Sequence, residues 1–213
     1  KLLGDNFIGP EDWSRLLGLP VTGDKPPVPS WITPALLEEI CPITKDGTSK
    51  VKDTHLLVFV PESLKGEALT INSLRPLATA AAEKAGKGTV FCDQDWYKGE
   101  AFANAKAKGS WVLMPKKIPE DTKKLDYAQQ EEAIKAYSAY ETNDARSMVA
   151  GVVMHFLKTG TRIHETESGW CKDKTASRGR VVVSCFDSDG LGVSYNGGSV
   201  RDDWLGRSLA RKS

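Results

Sequence analysis

The sequence predicts an α+β fold, with helices and strands mixed over most of the chain and a cluster of strands at its carboxyl end. Three observations predict it. All eleven prolines lie at or before Pro119, so an irregular, loop-rich first half gives way to a more continuous second half. Apolar residues recur at helical spacing over 70–84 and 144–158. After Arg162 that spacing is replaced by short apolar runs at 181–183 and 191–193, bounded by Gly, Asp and Ser. Mixed elements followed by a run of strands argue for α+β architecture rather than alternating βα units.

Each element has a local cause. Gly9-Pro10-Glu11-Asp12 opens a short helix through Leu17; Pro10 sits in the first turn, where its missing N–H leaves nothing unpaired, and Gly18 is the stop. Residues 20–29 hold four prolines and read as an extended linker or surface arm. Thr33-Pro34 starts a second helix to about Ile40, ended by Cys41-Pro42. The run His55–Val60, HLLVFV, is continuously apolar, as in a strand covered on both faces. Residues 70–84 form a helix with Leu74, Leu77, Ala78 and Ala81 along one face, despite Pro76. Residues 111–114 (WVLM) form another strand, and residues 127–140 a helix capped by Asp126. Thr142-Asn143-Asp144 caps a strong helix through Lys158, which Gly160 ends. Beyond it, residues 170–171, 180–185, 191–195 and 207–211 alternate as antiparallel strands around turns. The implied division is an N-terminal helical and loop arm over 1–50, packing on a main domain over 51–213.

Bulk properties narrow the function classes. A chain of 213 residues buries roughly 70% of its unfolded surface, so no disulfide or metal staple is required. The formal net charge is +1 and the charges are interspersed, which disfavours nucleic acid or an anionic membrane as partner. No apolar run reaches the length of about 18 residues that a membrane span needs. No leader pattern opens the chain, which starts at Lys1. Cys41, Cys92, Cys171 and Cys185 are widely spaced without a CxxC pair, so no zinc set is expected. Cys171 with Cys185 is the one disulfide pairing to test.

Catalytic motifs are missing. There is no GxSxG elbow, no Walker loop and no HExxH. Gly190-Leu191-Gly192 lacks both a third glycine and a following helix, so a dinucleotide fingerprint is rejected. His55 begins a buried strand, His155 lies on an apolar helix and His164 sits in a polar loop; all three are read as structural. No catalytic residue and no cofactor is predicted. Asp187-Ser188-Asp189-Gly190, with Asp202 and Asp203, resembles the start of a calcium loop, which makes a calcium-dependent carbohydrate-binding lectin an alternative. A full loop would need a later Glu and flanking helices, and a tight turn between two strands accounts for Asp189-Gly190 equally well.

The last thirty residues carry the strongest signal. Between Lys174 and Lys212 there is no lysine, and after Glu167 no glutamate. What remains is Tyr, Trp and Arg among Ser, Gly, Asn and Asp, the vocabulary of a paratope rather than of ordinary solvated surface. Alternation along a strand puts Leu191 and Val193 in the core and brings Gly192, Ser194 and Tyr195 toward the surface. The loop from Asn196 to Trp204 then presents Arg201, Asp202, Asp203 and Trp204, a composition suited to an interface hot spot. For Trp204 a core position remains equally open.

Residues 186–212, FDSDGLGVSYNGGSVRDDWLGRSLARK, resemble the C-terminal end of diversity-generating retroelement variable proteins, which have a C-type-lectin-like fold related to that of formylglycine-generating enzymes. In that family a reverse-transcriptase system rewrites codons near the 3′ end of the gene by adenine mutagenesis. The resemblance covers residues 140–213 well and 1–119 only loosely. It implies frame positions at Gly190, Leu191, Val193, Leu205, Gly206, Ala210, Arg211 and Lys212. Within a variable region at about 184–208, it implies ligand-binding positions at Ser184, Asp187, Asp189, Gly192, Ser194, Tyr195, Asn196, Gly197, Ser199, Arg201, Asp202, Asp203 and Trp204. The implied activity is recognition of a macromolecular ligand, a protein, without catalysis. Two departures are visible. Tryptophan does not arise from the asparagine codons typical of such repeats, so Trp204 has another template codon or belongs to the frame. Cys171 and Cys185 do not reproduce the paired catalytic cysteines of formylglycine-generating enzymes; a metal-dependent oxidoreductase using either thiol stands as the enzyme alternative.

Overall fold

In the computed structural model, which describes residues 2–212, the chain opens with β1 (Phe7–Ile8), α1 (Pro10–Leu17) and β2 (Val21–Thr22), then the short helices α2 (Pro34–Glu38) and α3 (Val51–Thr54). The middle holds β3 (His55–Val60), the small β4 (Ser63–Leu64) and β5 (Glu67–Ala68), α4 (Ile71–Lys84) and β6 (Ser110–Pro115). Next come α5 (Tyr127–Ala133), β7 (Tyr140–Thr142) and α6 (Ala145–Thr159). The terminal strands are β8 (Ser168–Lys174), β9 (Arg180–Asp187), β10 (Gly190–Asn196), β11 (Leu205–Arg207) and β12 (Leu209–Arg211). The architecture is α+β, with several small sheets around a buried helix.

That helix is α6. Its residues 145–157 are all buried, as befits a helix apolar around its whole circumference. Asp144 caps it by accepting the Ser147 N–H at 2.8 Å, and Gly160 closes it in the left-handed region at φ +79°. One face meets the sheet β1-β3-β6 and another the sheet β10-β9-β8-β11, while α4 and α1 pack alongside. The capping box of α4 is formed by Thr70 and Ser73. Its buried stripe is Ile71, Leu74, Ala78 and Ala82, and the helix continues through Pro76. The first fifty residues reach into the same core. Ile8 and Trp13 are fully buried in it, and the Trp13 indole donates to the Phe59 carbonyl at 2.6 Å.

Three expectations are corrected. The helix predicted over 127–140 stops at Ala133 and continues only as a 3₁₀ turn to Ala136. Tyr140–Thr142 instead pairs antiparallel with β12, a tertiary contact that helical propensity cannot register. The strand predicted over 207–211 is split at Ser208, whose hydroxyl and N–H both donate to the Trp170 carbonyl, at 2.8 and 3.1 Å. At that point the chain leaves one sheet for another. The terminal strands are also not wholly antiparallel, because β11 joins β8 in parallel.

His55 is a core histidine with both ring nitrogens bonded, to Thr54 Oγ1 and to the Tyr140 hydroxyl, each at 2.9 Å. Burial, with Arg211 nearby, pushes its imidazolium pKa down to about 3 from the usual 6.5. Below pH 6.5 the unfolded chain therefore takes up a proton that the folded chain refuses. Stability should be complete above that pH and decline as pH falls toward 3. Urea midpoints at pH 7 and pH 4.5 measure the decline, and a His55→Gln variant should show a shallower one.

Candidate functional site

The four-stranded sheet has two unlike faces. Cys171, Val181, Val183, Phe186, Leu191 and Val193 belong to the main core on the α6 side. On the outer side Trp170, Val182 and Leu205 pack with Tyr127 and Val200 as a second, smaller core. A bulge divides the β9–β10 pairing. Leu191 faces Phe186 and Val193 faces Val183, so Ser184 and Cys185 together oppose the single Gly192. The extra residue reverses the alternation of β9. Ser184 and Cys185 thus both lie toward the outer side, where Ser184 Oγ meets Ser194 Oγ at 2.8 Å and Cys185 Sγ approaches Ser168 Oγ at 3.6 Å.

The 197–204 loop leaves the edge strand β10, crosses the outer face and rejoins the sheet at the opposite edge, β11. Main-chain bonds hold it down. The Tyr127 N–H donates to the Gly198 carbonyl at 2.8 Å, the Lys124 N–H to that of Asp202 at 2.9 Å, and the Ser168 N–H to that of Trp204 at 2.8 Å. Beneath the loop, the Tyr127 ring lies 3.6 Å from the buried Arg207 guanidinium and 3.9 Å from that of Arg180, a close cation–π arrangement. Arg207 Nη2 also donates to the Tyr127 carbonyl at 2.7 Å. Arg201 pairs with Asp126 at 2.7 Å, its side chain still 56% exposed. The Asp126 carboxyl is held below its usual range by the Gln129 N–H of the α5 cap and by Arg201.

The structure distributes the predicted positions rather than gathering them. Asp187 and Asp189 are exposed on the β9–β10 hairpin, where Asp187 Oδ1 accepts the Asp189 N–H at 2.9 Å. Ser184, Ser194 and Asn196 are half-buried; Gly197, Ser199, Arg201, Asp203 and Trp204 are exposed, and Asp202 is half-buried. Gly192 is buried, against expectation. It sits opposite the bulge, where an added Cβ would come within 3.0 Å of Ser184 Cβ. Tyr195 and Trp204, expected in one cluster, occupy opposite edges of the sheet. Three inter-strand spacings, roughly 14 Å, lie between those edges.

Tyr195 has a different companion. Its ring, 50% exposed, stands 4.9 Å from that of Trp96, itself 37% exposed. The Trp96 indole donates to the Val193 carbonyl at 2.8 Å, and Gln94 accepts the Val193 N–H at 3.0 Å. The segment holding Trp96 therefore seals the edge of β10 and fixes an exposed aromatic pair. Sequence reasoning missed Trp96. Its setting, Asp93-Gln94-Asp95-Trp96-Tyr97, uses a similar polar and aromatic vocabulary a hundred residues upstream of Tyr195.

The alternatives gain little from this geometry. Asp187 and Asp189 sit on the hairpin while Asp202 and Asp203 sit in the crossing loop, and no group of three or more His, Cys, Asp or Glu among the described residues could hold a metal. All four cysteines are free thiols, so Cys171 and Cys185 are not bridged. Burial pushes the Cys171 thiol up to about 12, the reverse of what a reactive thiolate needs. Comparison of the chain with protein-family models, with curated proteins and with solved structures found no match to any of them.

Proposed function

We propose that this chain is a non-catalytic recognition protein of C-type-lectin-like type, whose carboxyl-terminal surface binds a protein ligand and tolerates diversification by a retroelement. The observation that carries the reading is how the 197–204 loop is held. Main-chain carbonyls of Gly198, Asp202 and Trp204 receive main-chain N–H groups, and those bonds do not depend on which side chains the exposed positions carry; Val200, packed in the smaller core, and the Arg201–Asp126 pair add side-chain anchoring. Ser199, Arg201, Asp203 and Trp204 are exposed, Trp204 by 38%, and can change without removing those main-chain bonds. Surface substitutions of this kind usually stay within about 0.5 kcal/mol. Of the frame positions, Gly190, Leu191, Val193, Leu205, Gly206 and Ala210 are buried, whereas Arg211 is half-buried and Lys212 exposed. A rigid backbone also lowers the ordering cost of binding.

The surrounding DNA tests the retroelement half of the proposal. Sequencing should reveal a nearby near-copy of the 3′ end that differs at adenines and adjoins a reverse-transcriptase gene. Across isolates, changes should collect at the exposed positions and spare Gly190, Leu191, Val193, Leu205 and Gly206. A solitary gene whose substitutions fall evenly on exposed and buried codons would remove that half.

A further inference from the structure

The chain has five asparagines, and four of them have a tethered side-chain amide. Asn6 Nδ2 donates to the Lys52 carbonyl at 2.8 Å, Asn72 Nδ2 to Asn104 Oδ1 at 2.9 Å, and Asn104 Nδ2 to the Lys98 carbonyl at 2.9 Å. Asn143 is buried, and its Oδ1 accepts the Asp144 N–H at 3.0 Å. Asn196, the last residue of β10, differs. The side chains around it are bonded, but its own amide has no hydrogen-bond partner among the described residues. The residue is half-buried, and neither polar atom of that amide is sealed from solvent.

Asn196 is also the only asparagine followed by glycine; Phe7, Ser73, Ala105 and Asp144 follow the others. Glycine has no Cβ to hinder rotation of the peptide before it. Gly197 is exposed and outside the strand, and its N–H has no partner among the described residues. Asn196 closes the β9–β10 ladder opposite Arg180, and the next main-chain tie is the Gly198 carbonyl, which accepts from the Tyr127 N–H. The Asn196–Gly197 peptide therefore lies between the last rung of the sheet and the first anchor of the loop. Asparagine is among the thermally labile residues, and here its amide carbon has an untethered nucleophile as its neighbour.

We infer that Asn196 is a site of spontaneous modification, at which the folded chain converts its own amide to aspartate and isoaspartate. The Gly197 nitrogen bonds to Asn196 Cγ, the Cγ–Nδ2 bond breaks, and the proton given up by Gly197 leaves with the side-chain nitrogen as ammonia. Water then opens the cyclic imide. Cleavage between Gly197 N and Cγ yields aspartate; cleavage between Gly197 N and the main-chain carbonyl carbon of residue 196 yields isoaspartate, with the chain running through Cγ. The balance is asparagine and water to acid and ammonia, and no oxidant or reductant takes part. Either product adds a carboxylate beside Tyr195 and takes the formal net charge from +1 to zero. Isoaspartate also inserts a methylene into the main chain where the 197–204 loop begins. The chemistry needs no ligand, so it goes beyond the recognition reading, and failure of either leaves the other intact.

Two Asp-Gly pairs could close the same ring, and the fold restrains both. Gly190 is buried against the backbone of Phe91 and Cys92. The Asp46 carboxylate accepts from the Ser49 hydroxyl and from the Ser49 and Thr48 N–H groups, which hold its pKa well below the usual carboxylate range and keep it in the ionised, unreactive form.

The test incubates the folded full chain in ¹⁸O-labelled water at neutral pH and physiological temperature. Peptide mapping then follows the tryptic fragment 181–201, in which Asn196 is the only asparagine. Labelled aspartate and isoaspartate should accumulate at residue 196 with time, while the other four asparagines stay unchanged. Gly197→Ala is the matching variant. An added Cβ at residue 197 meets no atom within 4 Å, so the fold is kept, yet the stiffer backbone should slow conversion severalfold. Absence of label at residue 196, faster conversion at another asparagine, conversion confined to the urea-unfolded chain, or an unchanged rate in folded Gly197→Ala would overturn the proposal. If that variant does not fold, the wild-type time course still decides.

Discussion

Replacing Gly190 with alanine will destabilise the protein by about 3–5 kcal/mol, combining strain at a glycine-only backbone position with overpacking. Gly190 has φ +108° and is buried at the start of β10. A Cβ there would lie 2.5 Å from the Phe91 carbonyl carbon and 2.7 Å from the Cys92 nitrogen. Both are backbone atoms, and they cannot retreat cheaply. The Leu191 N–H donates to the Val90 carbonyl at 2.8 Å, and the Cys92 N–H to that of Leu191 at 3.1 Å, locking the two segments together. The adjacent Asp189 faces solvent, so Asp189→Ala should stay within about 1 kcal/mol. Melting temperatures separate the two variants. Gly190→Ala should fall by roughly 10 °C or more at this chain length, and Asp189→Ala by far less. Equal melting of the two would mean that the β9–β10 hairpin does not pack against residues 90–92 as described. Neighbouring residues of this hairpin thus answer to opposite constraints, Gly190 to packing against backbone and Asp189 to solvent.

Truncating Trp96 and Tyr195 together should weaken binding of a protein partner by about 2–4 kcal/mol, at least thirtyfold in Kd, as expected for aromatic hot-spot residues. The pair is exposed yet rigid, because the Trp96 indole is tied to the Val193 carbonyl and the Tyr195 ring rests 4.9 Å away. Rigid aromatics offer contact area with little entropy left to lose. The measurement uses a partner selected on the wild-type chain, with titration of Trp96→Ala, Tyr195→Ala and the double variant. The single losses should not add, since each ring supports the other. Melting temperatures of Tyr195→Ala should remain near wild type, because that ring lies largely outside the core. If the double variant binds as tightly as wild type, the aromatic pair is not the contact. Recognition would then be sought at Arg201, Asp203 and Trp204 on the far edge of the sheet.

The elements that sequence reasoning located best are those whose cause is local. α1 and α6 begin at a proline or a capping aspartate and end at glycine, and His55–Val60 is a strand because a continuous apolar run of that length has few other uses. The Asp187–Gly190 turn was legible for the same reason. Elements that depend on a distant partner were misread. Tyr140 reads as the last residue of a helix, yet it pairs with β12, and residues 207–211 read as one strand, yet Trp170 captures Ser208. The bulge that buries Gly192 and turns both Ser184 and Cys185 outward arises from the relative lengths of two paired strands, which no single strand encodes.

The candidate surface follows the same division. By itself the sequence determined which residue types this region holds, because composition and turn chemistry are properties of consecutive residues: Tyr195, Arg201 and Trp204 among Ser, Gly, Asn and Asp, with apolar Leu191, Val193 and Leu205 between them. Only the tertiary structure decided which of them stand together. The sheet carries Tyr195 and Trp204 to opposite edges and seats Tyr195 against Trp96, ninety-nine positions earlier in the chain. Strand order and edge sealing come from long-range hydrogen bonds and burial, and those are decided by the whole core at once.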